Sequence, residues 1–497
     1  MTITELMQLA AAPPLAELPN RDPEIAGLTV DSRRARPGFL FAAWRGVQRD
    51  GRKFAGDAVT RGAVAILTDD AGALDLDDDV RRGITIITDA NPQRRLALAA
   101  ARFYGRQPAT IVAVTGTNGK TSVAHFTREL WGALGHKAAS LGTLGLVTPD
   151  GHRPGALTTP DSVALHRDLA ELAGRGILHA AIEASSHGLD QCRLDGVAIA
   201  AAAFTNLTRD HLDYHGDMAG YRAAKDRLFS ILLPAGGQAI LNADSDEFPR
   251  LAALCRGRGH SVVGYGAADR ADLRLVDRIP QRDGQRLGLD LFGARYELAL
   301  PLVGEFQAMN ALAALGLVVA TGSAVASAAA ALERLTPVPG RLQFVGDPNH
   351  AAVFVDYAHT PDALATVLAA LRPHAEGRLV VAFGAGGDRD RGKRPLMGRV
   401  ASELADRVYV TDDNPRTEAP TEIRRAILAT APQAIEIGDR REAITAAIAD
   451  LRPGDVLVIA GKGHESGQII GTETLPFDDV EVARAAIAAL PGARDAP

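Results

Sequence analysis

The chain has 497 residues, 46% of them hydrophobic and 23% charged, with a formal net charge of −6. This is a soluble globular composition with room for about two to four domains, and its negative balance gives no general basis for binding nucleic acid. Its 2 cysteines, Cys192 and Cys255, stand far apart, so no disulfide framework is expected and a reducing cytoplasm fits best.

The opening MTITELMQLAAAPP lacks a basic stretch and a long apolar core, so no signal peptide is expected. The longest apolar run, residues 308–321, is too short for a membrane span, and no membrane insertion is expected. The first block, to residue 108, mixes helices with short strands at 62–67 and 84–88, and Gly105-Arg106-Gln107-Pro108 reads as a linker.

Next comes IVAVTGTNGKTS, residues 111–122. Apolar β-formers at 111–114 end in Gly116-Thr117-Asn118-Gly119-Lys120-Thr121, and a helix is expected from Ser122 to Leu134. Glycines let a loop turn its N–H groups inward, and the helix N-terminus adds positive potential, so the segment is suited to phosphates. Lys120 can reach the β- and γ-phosphates and the Thr121 hydroxyl can ligate Mg²⁺. The general pattern G-x-x-x-x-G-K-[ST] is not met in full, because Val114 stands at its first glycine.

Further strands are expected at 177–182 and 197–204, with a β-rich section around 287–302. Glu183 follows the first of these. It is either a loop acid capping a helix or a Mg²⁺ ligand, and a phosphate loop in the same sheet favours the ligand. Residues 205–216, TNLTRDHLDYHG, place Asn206, Asp210, His211, Asp213 and His215 after the next strand, without zinc spacing. Residues 221–229 read as helix with Tyr221, Lys225 and Phe229 on one face. Spacing alone makes Lys225 a snorkelling surface lysine.

Pro337-Val338-Pro339-Gly340 is the second boundary. Beyond it, strands at 351–355, 379–383, 408–410 and 456–459 alternate with helices such as 421–430 and 441–451, implying a parallel sheet covered on both faces. Ligands of such sheets gather at the strands' carboxyl ends. Three polar loops sit there: 384–394 (GAGGDRDRGKR), Asp413-Asn414-Pro415-Arg416, and Gly461-Lys462-Gly463-His464-Glu465. An arginine after a rigid turn can clamp a carboxylate in bidentate fashion.

Together these residues resemble the Mur ligases, the ATP-dependent amino-acid-adding enzymes of peptidoglycan synthesis. The marks are Gly116–Thr121, Glu183-Ala184-Ser185-Ser186-His187-Gly188, residues 206–216, Asp356-Tyr357-Ala358-His359-Thr360-Pro361 and the last two loops. The resemblance spans the chain. It implies an α/β architecture of three domains: a UDP-substrate domain at 1–108, a central P-loop-type ATPase domain at 109–338, and a Rossmann-like amino-acid domain at 339–497. Asp413-Asn414-Pro415-Arg416 is most similar to members that add meso-2,6-diaminopimelate to UDP-N-acetylmuramoyl-L-alanyl-D-glutamate, where the arginine meets the distal carboxylate.

Residue by residue, the resemblance implies that ATP meets Gly116, Thr117, Asn118, Gly119, Lys120, Thr121, Ser122, Asn310, Arg341 and Asp356. Two Mg²⁺ ions would be held by Thr121, Glu183, His211 and Lys225, the last carbamylated to N6-carboxylysine, which reverses the snorkelling reading. The UDP-substrate would meet Val30, Ser32, Val47, Gln48, Arg49, Thr158, Thr159, Ser185, Gln191 and Arg193. Diaminopimelate would meet Arg389, Asp413, Asn414, Pro415, Arg416, Gly461 and Glu465. Lys120, Glu183, His211, Lys225 and His359 would be catalytic, with His359 or a carboxylate as the base for the attacking amine. Gln307 stands where many members carry asparagine, and no role is assigned to it. A monomer is expected. The rival readings are the same chemistry with L-lysine, a folylpolyglutamate-synthase-like ligase, and a nucleotide-switched binding protein without ligase activity.

Overall fold

The computed structural model describes residues 1–9, 13, 15, 21–46, 49–281 and 284–490, apart from the Asp213 side chain. Val47 and Gln48, and the side chain of Asp213, therefore lie outside the described residues. The chain forms two compact units, Met1–Gly264 with Gly316–Ser323, and Tyr265–Leu315 with Ala324–Pro497.

In the first unit, Gly27–Thr29, Phe39–Ala43, Ala63–Thr68 and Thr85–Thr88 make a parallel sheet in chain order. The helix Pro92–Tyr104 starts on Asn91, whose side chain accepts the Arg94 N–H at 3.0 Å, and stops at Gly105 with φ 67°. Proline at the first turn and a left-handed glycine at the end fix both limits, so the helix ends at the expected linker.

The larger sheet of this unit is ordered Gln238–Asn242, Ile199–Phe204, Thr110–Thr115, His179–Glu183, Ala138–Gly142, all parallel. Antiparallel Gly145–Thr148 and Gly151–Arg153 extend its edge. Thr110–Thr115 is central and almost wholly buried, as a strand covered on both faces must be. The chain runs from this strand to one side of the sheet and returns to the other. The carboxyl ends of Thr110–Thr115 and Ile199–Phe204 thus flank a topological switch point, where open α/β sheets bind ligands.

The second unit carries an antiparallel meander, Leu273–Gln281, Gly284–Leu291 and Ala294–Leu300, which begins well before the expected β-rich section. It also holds a six-stranded sheet ordered Gln343–Gly346, Ala352–Asp356, Val456–Ala460, Leu379–Phe383, Arg407–Val410, Ile435–Glu436. All pairs are parallel except the edge strand Gln343–Gly346. Helices Pro361–Leu371, Lys393–Leu404 and Pro420–Leu428 pack Leu364, Met397 and Ile427 on one face. Helices Arg440–Ala449 and Asp479–Ala488 pack Ile444 and Ala483 on the other. The expected alternation and two-sided cover are both present.

Candidate active site

In the first unit, Gly116 (φ 149°) and Gly119 (φ 87°) turn the loop between the strand Thr110–Thr115 and the helix Lys120–Ala133. A Cβ on Gly116 would collide with Thr205 Oγ1. Only glycine lets the neighbouring strand end lie this close. That strand end grips the loop. The Thr117 N–H donates to the Asn206 carbonyl and the Asn118 N–H to Asn206 Oδ1, both at 2.9 Å. Thr205 Oγ1 donates to the Asn118 carbonyl at 2.6 Å. Lys120 folds back over the loop, its Nζ 2.9 Å from the Gly116 carbonyl and 2.6 Å from that of Thr117. Thr121 and Ser122 are buried at the helix start.

Glu183 ends the adjacent strand and is 2% exposed. Its carboxylate accepts from Thr121 Oγ1 at 3.0 Å, from the Thr143 N–H at 2.7 Å and from Thr143 Oγ1 at 3.2 Å. Thr158 Oγ1 lies 3.1 Å from Thr143 Oγ1. Thr159 Oγ1 donates to the Glu183 carbonyl at 2.6 Å and accepts the Ser185 N–H at 3.0 Å. Arg193 donates to the Thr159 carbonyl at 2.6 Å and to Gln191 Oε1 at 2.6 Å, and Gln191 reaches the Tyr214 hydroxyl at 3.0 Å. Thr121, Glu183, Thr158, Thr159, Ser185, Gln191 and Arg193, picked from separate motifs, thus form one connected array.

Lys225 overturns the snorkelling reading: it is 2% exposed. Its Nζ donates to the Gly116 carbonyl at 2.7 Å and sits 4.3 Å from the Tyr221 ring centroid. Burial, then the Lys120 ammonium, hold its pKa well below the ordinary lysine value against a weaker opposing pull from Asp210. Its helix, Met218–Arg227, passes into a π-turn at Leu228–Leu232, so the regular helix ends before the expected residue 229. Tyr221, also buried, donates to Thr117 Oγ1 at 3.2 Å and so ties this helix to the loop.

His211 takes a left-handed backbone (φ 52°) at the start of the helix Leu212–His215, with its ring 3.5 Å from Asp210 and edge-on to His187. Among the described residues, no three His, Cys, Asp or Glu side chains are grouped to hold a metal. A hard divalent ion at the loop would therefore rest on the Glu183 carboxylate, the Thr121 hydroxyl, ligand phosphates and water, a donor set that suits Mg²⁺.

In the second unit, Asp356 ends its strand with its carboxylate accepting the N–H groups of Leu342 and Ala358, both at 2.7 Å. Burial raises its pKa against the opposing pull of Arg341 and those N–H groups. Arg341 lies 4.5 Å over the Tyr357 ring, which also packs against His359 and His464. His359 Nδ1 is 2.9 Å from the Tyr357 carbonyl. That contact makes Nδ1 the donor and leaves the lone pair on Nε2. Gln307, left without a role above, connects two expected nucleotide residues. Its amide donates to the Arg341 carbonyl at 3.3 Å and accepts from Asn310 at 3.1 Å.

The carboxyl ends of the six-stranded sheet gather the last loops. Asn414 Oδ1 accepts from Lys462 Nζ at 2.8 Å and from the Ile469 N–H at 2.9 Å, while its Nδ2 donates to Glu465 Oε2 at 2.9 Å. A Cβ on Gly461 (φ 119°) would strike Asp413 Oδ2. Arg416, after the buried Pro415, takes a left-handed backbone (φ 52°) and donates through Nη1 to the Gly387 carbonyl at 2.8 Å. A non-glycine residue there costs about 1–3 kcal/mol and persists only where its surroundings impose it. The 384–394 loop divides. Arg394 is buried against Glu418 at 2.8 Å, whereas Arg389 is exposed with its hydrogen bond to the Asp388 carbonyl beside it.

Of the first-block residues, Ser32 is buried in the turn Ser32–Arg34, and Val30 and Arg49 are exposed. Among the described residues, no hydrogen bond or ion pair joins them to the array around Glu183. Sequence reasoning missed Gly142, Thr143, Lys462 and the fully buried Arg440–Asp479 pair at 2.6 Å. Gly142 ends the apolar strand Ala138–Gly142 and Thr143 follows it, so the strand-end rule could have found them. Arg440 and Asp479 stand 39 residues apart in sequence and carry no local signal.

Three sequence profiles match the chain: the Mur ligase family catalytic domain at residues 24–104, the Mur ligase middle domain at 114–318, and the Mur ligase glutamate ligase domain at 340–463. The UDP-N-acetylmuramoyl-L-alanyl-D-glutamate--2,6-diaminopimelate ligase of Bradyrhizobium diazoefficiens is 55% identical over 94% of this chain and 95% of its own length. The ligase of the same name from Caulobacter vibrioides is 54% identical over 94% of this chain and 97% of its own. A solved structure of a ligase of that name superposes with a TM-score of 0.71 at 34% identity, covering 98% of this chain and 99% of its own. With the loop, its lysines and the strand-end array in place, this chain belongs to the Mur ligase family.

Proposed function

We propose that this protein is the ATP-dependent ligase that joins meso-2,6-diaminopimelate to the D-glutamyl carboxylate of UDP-N-acetylmuramoyl-L-alanyl-D-glutamate, in the cytoplasm and as a monomer. The observation that carries the reading is the near full-length identity to ligases of that name, in a chain whose glycine loop, Lys120, Lys225 and Glu183 are assembled at one switch point. The functional parts are taken as 1–108, 109–338 and 339–497.

A carboxylate does not react with an amine unaided, because its oxygen is a poor leaving group. Transfer of the γ-phosphoryl of ATP to the D-glutamyl carboxylate gives an acyl phosphate and ADP. The diaminopimelate amine attacks the acyl carbon, and the tetrahedral intermediate expels phosphate. Several anionic groups must meet, so Lys120 and the loop N–H groups serve as countercharge and positioning dominates the first step. Asn310, Arg341 and Asp356 of the second unit are the further residues that the family resemblance assigns to the nucleotide. Thr121, Glu183 and His211 would hold Mg²⁺; bound there, the ion would neutralise phosphate charge.

Lys225 is suited to carbamylation. Its depressed pKa supplies the neutral amine that reacts with CO₂, releasing a proton, and the product puts an anion beside the Lys120 ammonium, where a second cation is disfavoured. The carbamate keeps an N–H for the Gly116 carbonyl and offers oxygens to a second Mg²⁺. Thr158, Thr159, Ser185, Gln191 and Arg193, with Val30, Ser32, Val47, Gln48 and Arg49, take the UDP-substrate. Asp413, Asn414, Arg416, Gly461 and Glu465 take diaminopimelate, with Pro415 setting the turn and Arg389 at the exposed rim. His359 Nε2 is the acceptor suited to deprotonating the amine. Mass spectrometry of the reaction tests the whole. A UDP-MurNAc-tripeptide should form only with ATP, UDP-dipeptide and diaminopimelate together, and its absence from an active, folded preparation overturns the reading.

A further inference from the structure

Lys462 is a fully buried cation, with 0% of its side chain exposed, in a loop that would ordinarily leave a lysine in water. An ammonium is removed from solvent at large cost unless oxygen acceptors surround it. Here they are Asn414 Oδ1 at 2.8 Å and Glu465 Oε2 at 3.4 Å. Asn414 closes the triangle, since its Nδ2 donates to the same Glu465 Oε2 at 2.9 Å.

The geometry dictates the orientation of every member. Two donors on Asn414 Oδ1, Lys462 Nζ and the Ile469 N–H, force its Nδ2 toward Glu465. Among the described residues, the hydrogen bonds of the Glu465 side chain fall on Oε2, so the carboxylate is anchored by one oxygen and presents the other. Glu465 keeps 35% of its side chain exposed while Lys462 keeps none. The lysine lies behind the carboxylate, not in the ligand's path.

We propose that Lys462 is a positioning residue that sets amino-acid specificity. It fixes Glu465 so that the free carboxylate oxygen receives an ammonium at the far end of the incoming amino acid, while Arg416 receives the carboxylate there. Charges of both signs select an amino acid whose distal end is a zwitterion, over one ending in an ammonium or a carboxylate alone. The inference rests on the amino-acid site proposed above.

The test is amino-acid-dependent ADP release by full-length wild type, Lys462→Met, Glu465→Gln and the double variant, with meso-diaminopimelate and with 2-aminopimelate, which lacks the distal amine. Lys462→Met should raise KM for diaminopimelate by roughly 10–100-fold, the loss of one hydrogen bond to a charged group, with KM for ATP unchanged. The preference for diaminopimelate over 2-aminopimelate should fall with it. The double variant should be no worse than Glu465→Gln alone, because the lysine acts through that carboxylate. Multiplying effects in the double variant, or an unchanged preference in Lys462→Met, overturns the proposal. Should Lys462→Met not fold, Lys462→Gln, which keeps a donor for Asn414 without the charge, is read the same way. Wild type that does not consume diaminopimelate refutes the site itself; wild type that does, with multiplying variants, refutes only the role of Lys462.

Discussion

Replacing Gly142 by alanine puts a methyl group where Glu183 already stands. The added Cβ would overlap Glu183 Oε1 and Cδ and lie 2.6 Å from Cγ, while the glycine's own φ is one that alanine adopts freely. The perturbation is therefore steric and confined to the carboxylate. Glu183 cannot yield without loss, because the Thr143 N–H at 2.7 Å and Thr121 Oγ1 at 3.0 Å hold it from two sides. A hydrogen bond to a charged group is worth about 1.5–3 kcal/mol, so breaking both costs roughly 3–6 kcal/mol. If the carboxylate's position matters to the phosphoryl step, kcat/KM should fall by about 10²–10⁴. Steady-state ADP release at varied ATP and Mg²⁺ measures this, with circular dichroism confirming that the variant is folded. A folded Gly142→Ala enzyme with wild-type kcat/KM would refute the placement of Glu183 at the reacting phosphates.

Lys225→Ala should be nearly inactive and partly rescued by a short carboxylic acid that replaces the carbamate; activity without rescue would return Lys225 to a structural role. Compared with the uncarbamylated protein in CO₂-free buffer, Lys225→Met should remain folded and be more stable at neutral pH. The depressed pKa means that the unfolded chain binds a proton the native one does not, so the native lysine's penalty grows as pH falls below 10.5. Chemical denaturation of both proteins across pH checks that sign. Arg416→Ala should weaken diaminopimelate binding by about 2–5 kcal/mol, read as KM for that substrate with KM for ATP unchanged. His166 is buried against the Asp195 carbonyl at 2.9 Å, and burial lowers its pKa from 6.5 to about 4. Because the folded pKa is depressed, its cost is absent above pH 6.5 and grows as pH falls toward 4, to about 3 kcal/mol. His166→Gln should flatten the acid limb of stability against pH by that amount.

What was legible in the sequence is what local backbone chemistry dictates. Gly116 and Gly119 are demanded by their own positive φ, and Glu183, Asp356 and Asn414 were found because parallel strands deliver polar residues at their carboxyl ends. What was not legible depends on partners distant in the chain. Period 3.6 correctly placed Lys225 on the face of Tyr221, but the Gly116 carbonyl it donates to comes from the glycine loop, 109 residues earlier in the chain. Lys462 looks like an ordinary loop lysine until Asn414 closes over it. Gln307 departs from the family pattern yet bridges Asn310 and Arg341, because its longer side chain reaches both. The meander strand Leu273–Gln281 escaped notice because only its first residues are buried, and Arg274, Asp277, Arg278 and Pro280 blur the alternation.

The central claim is that the glycine loop delivers phosphate to the D-glutamyl carboxylate and that the last loops select the amine that follows. Oxygen-18 placed in that carboxylate tests both at once. The account predicts one labelled oxygen in each phosphate released, at a rate that depends on diaminopimelate and not on L-lysine. Unlabelled phosphate would contradict the acyl phosphate, and equal release with L-lysine would contradict the choice of amino acid.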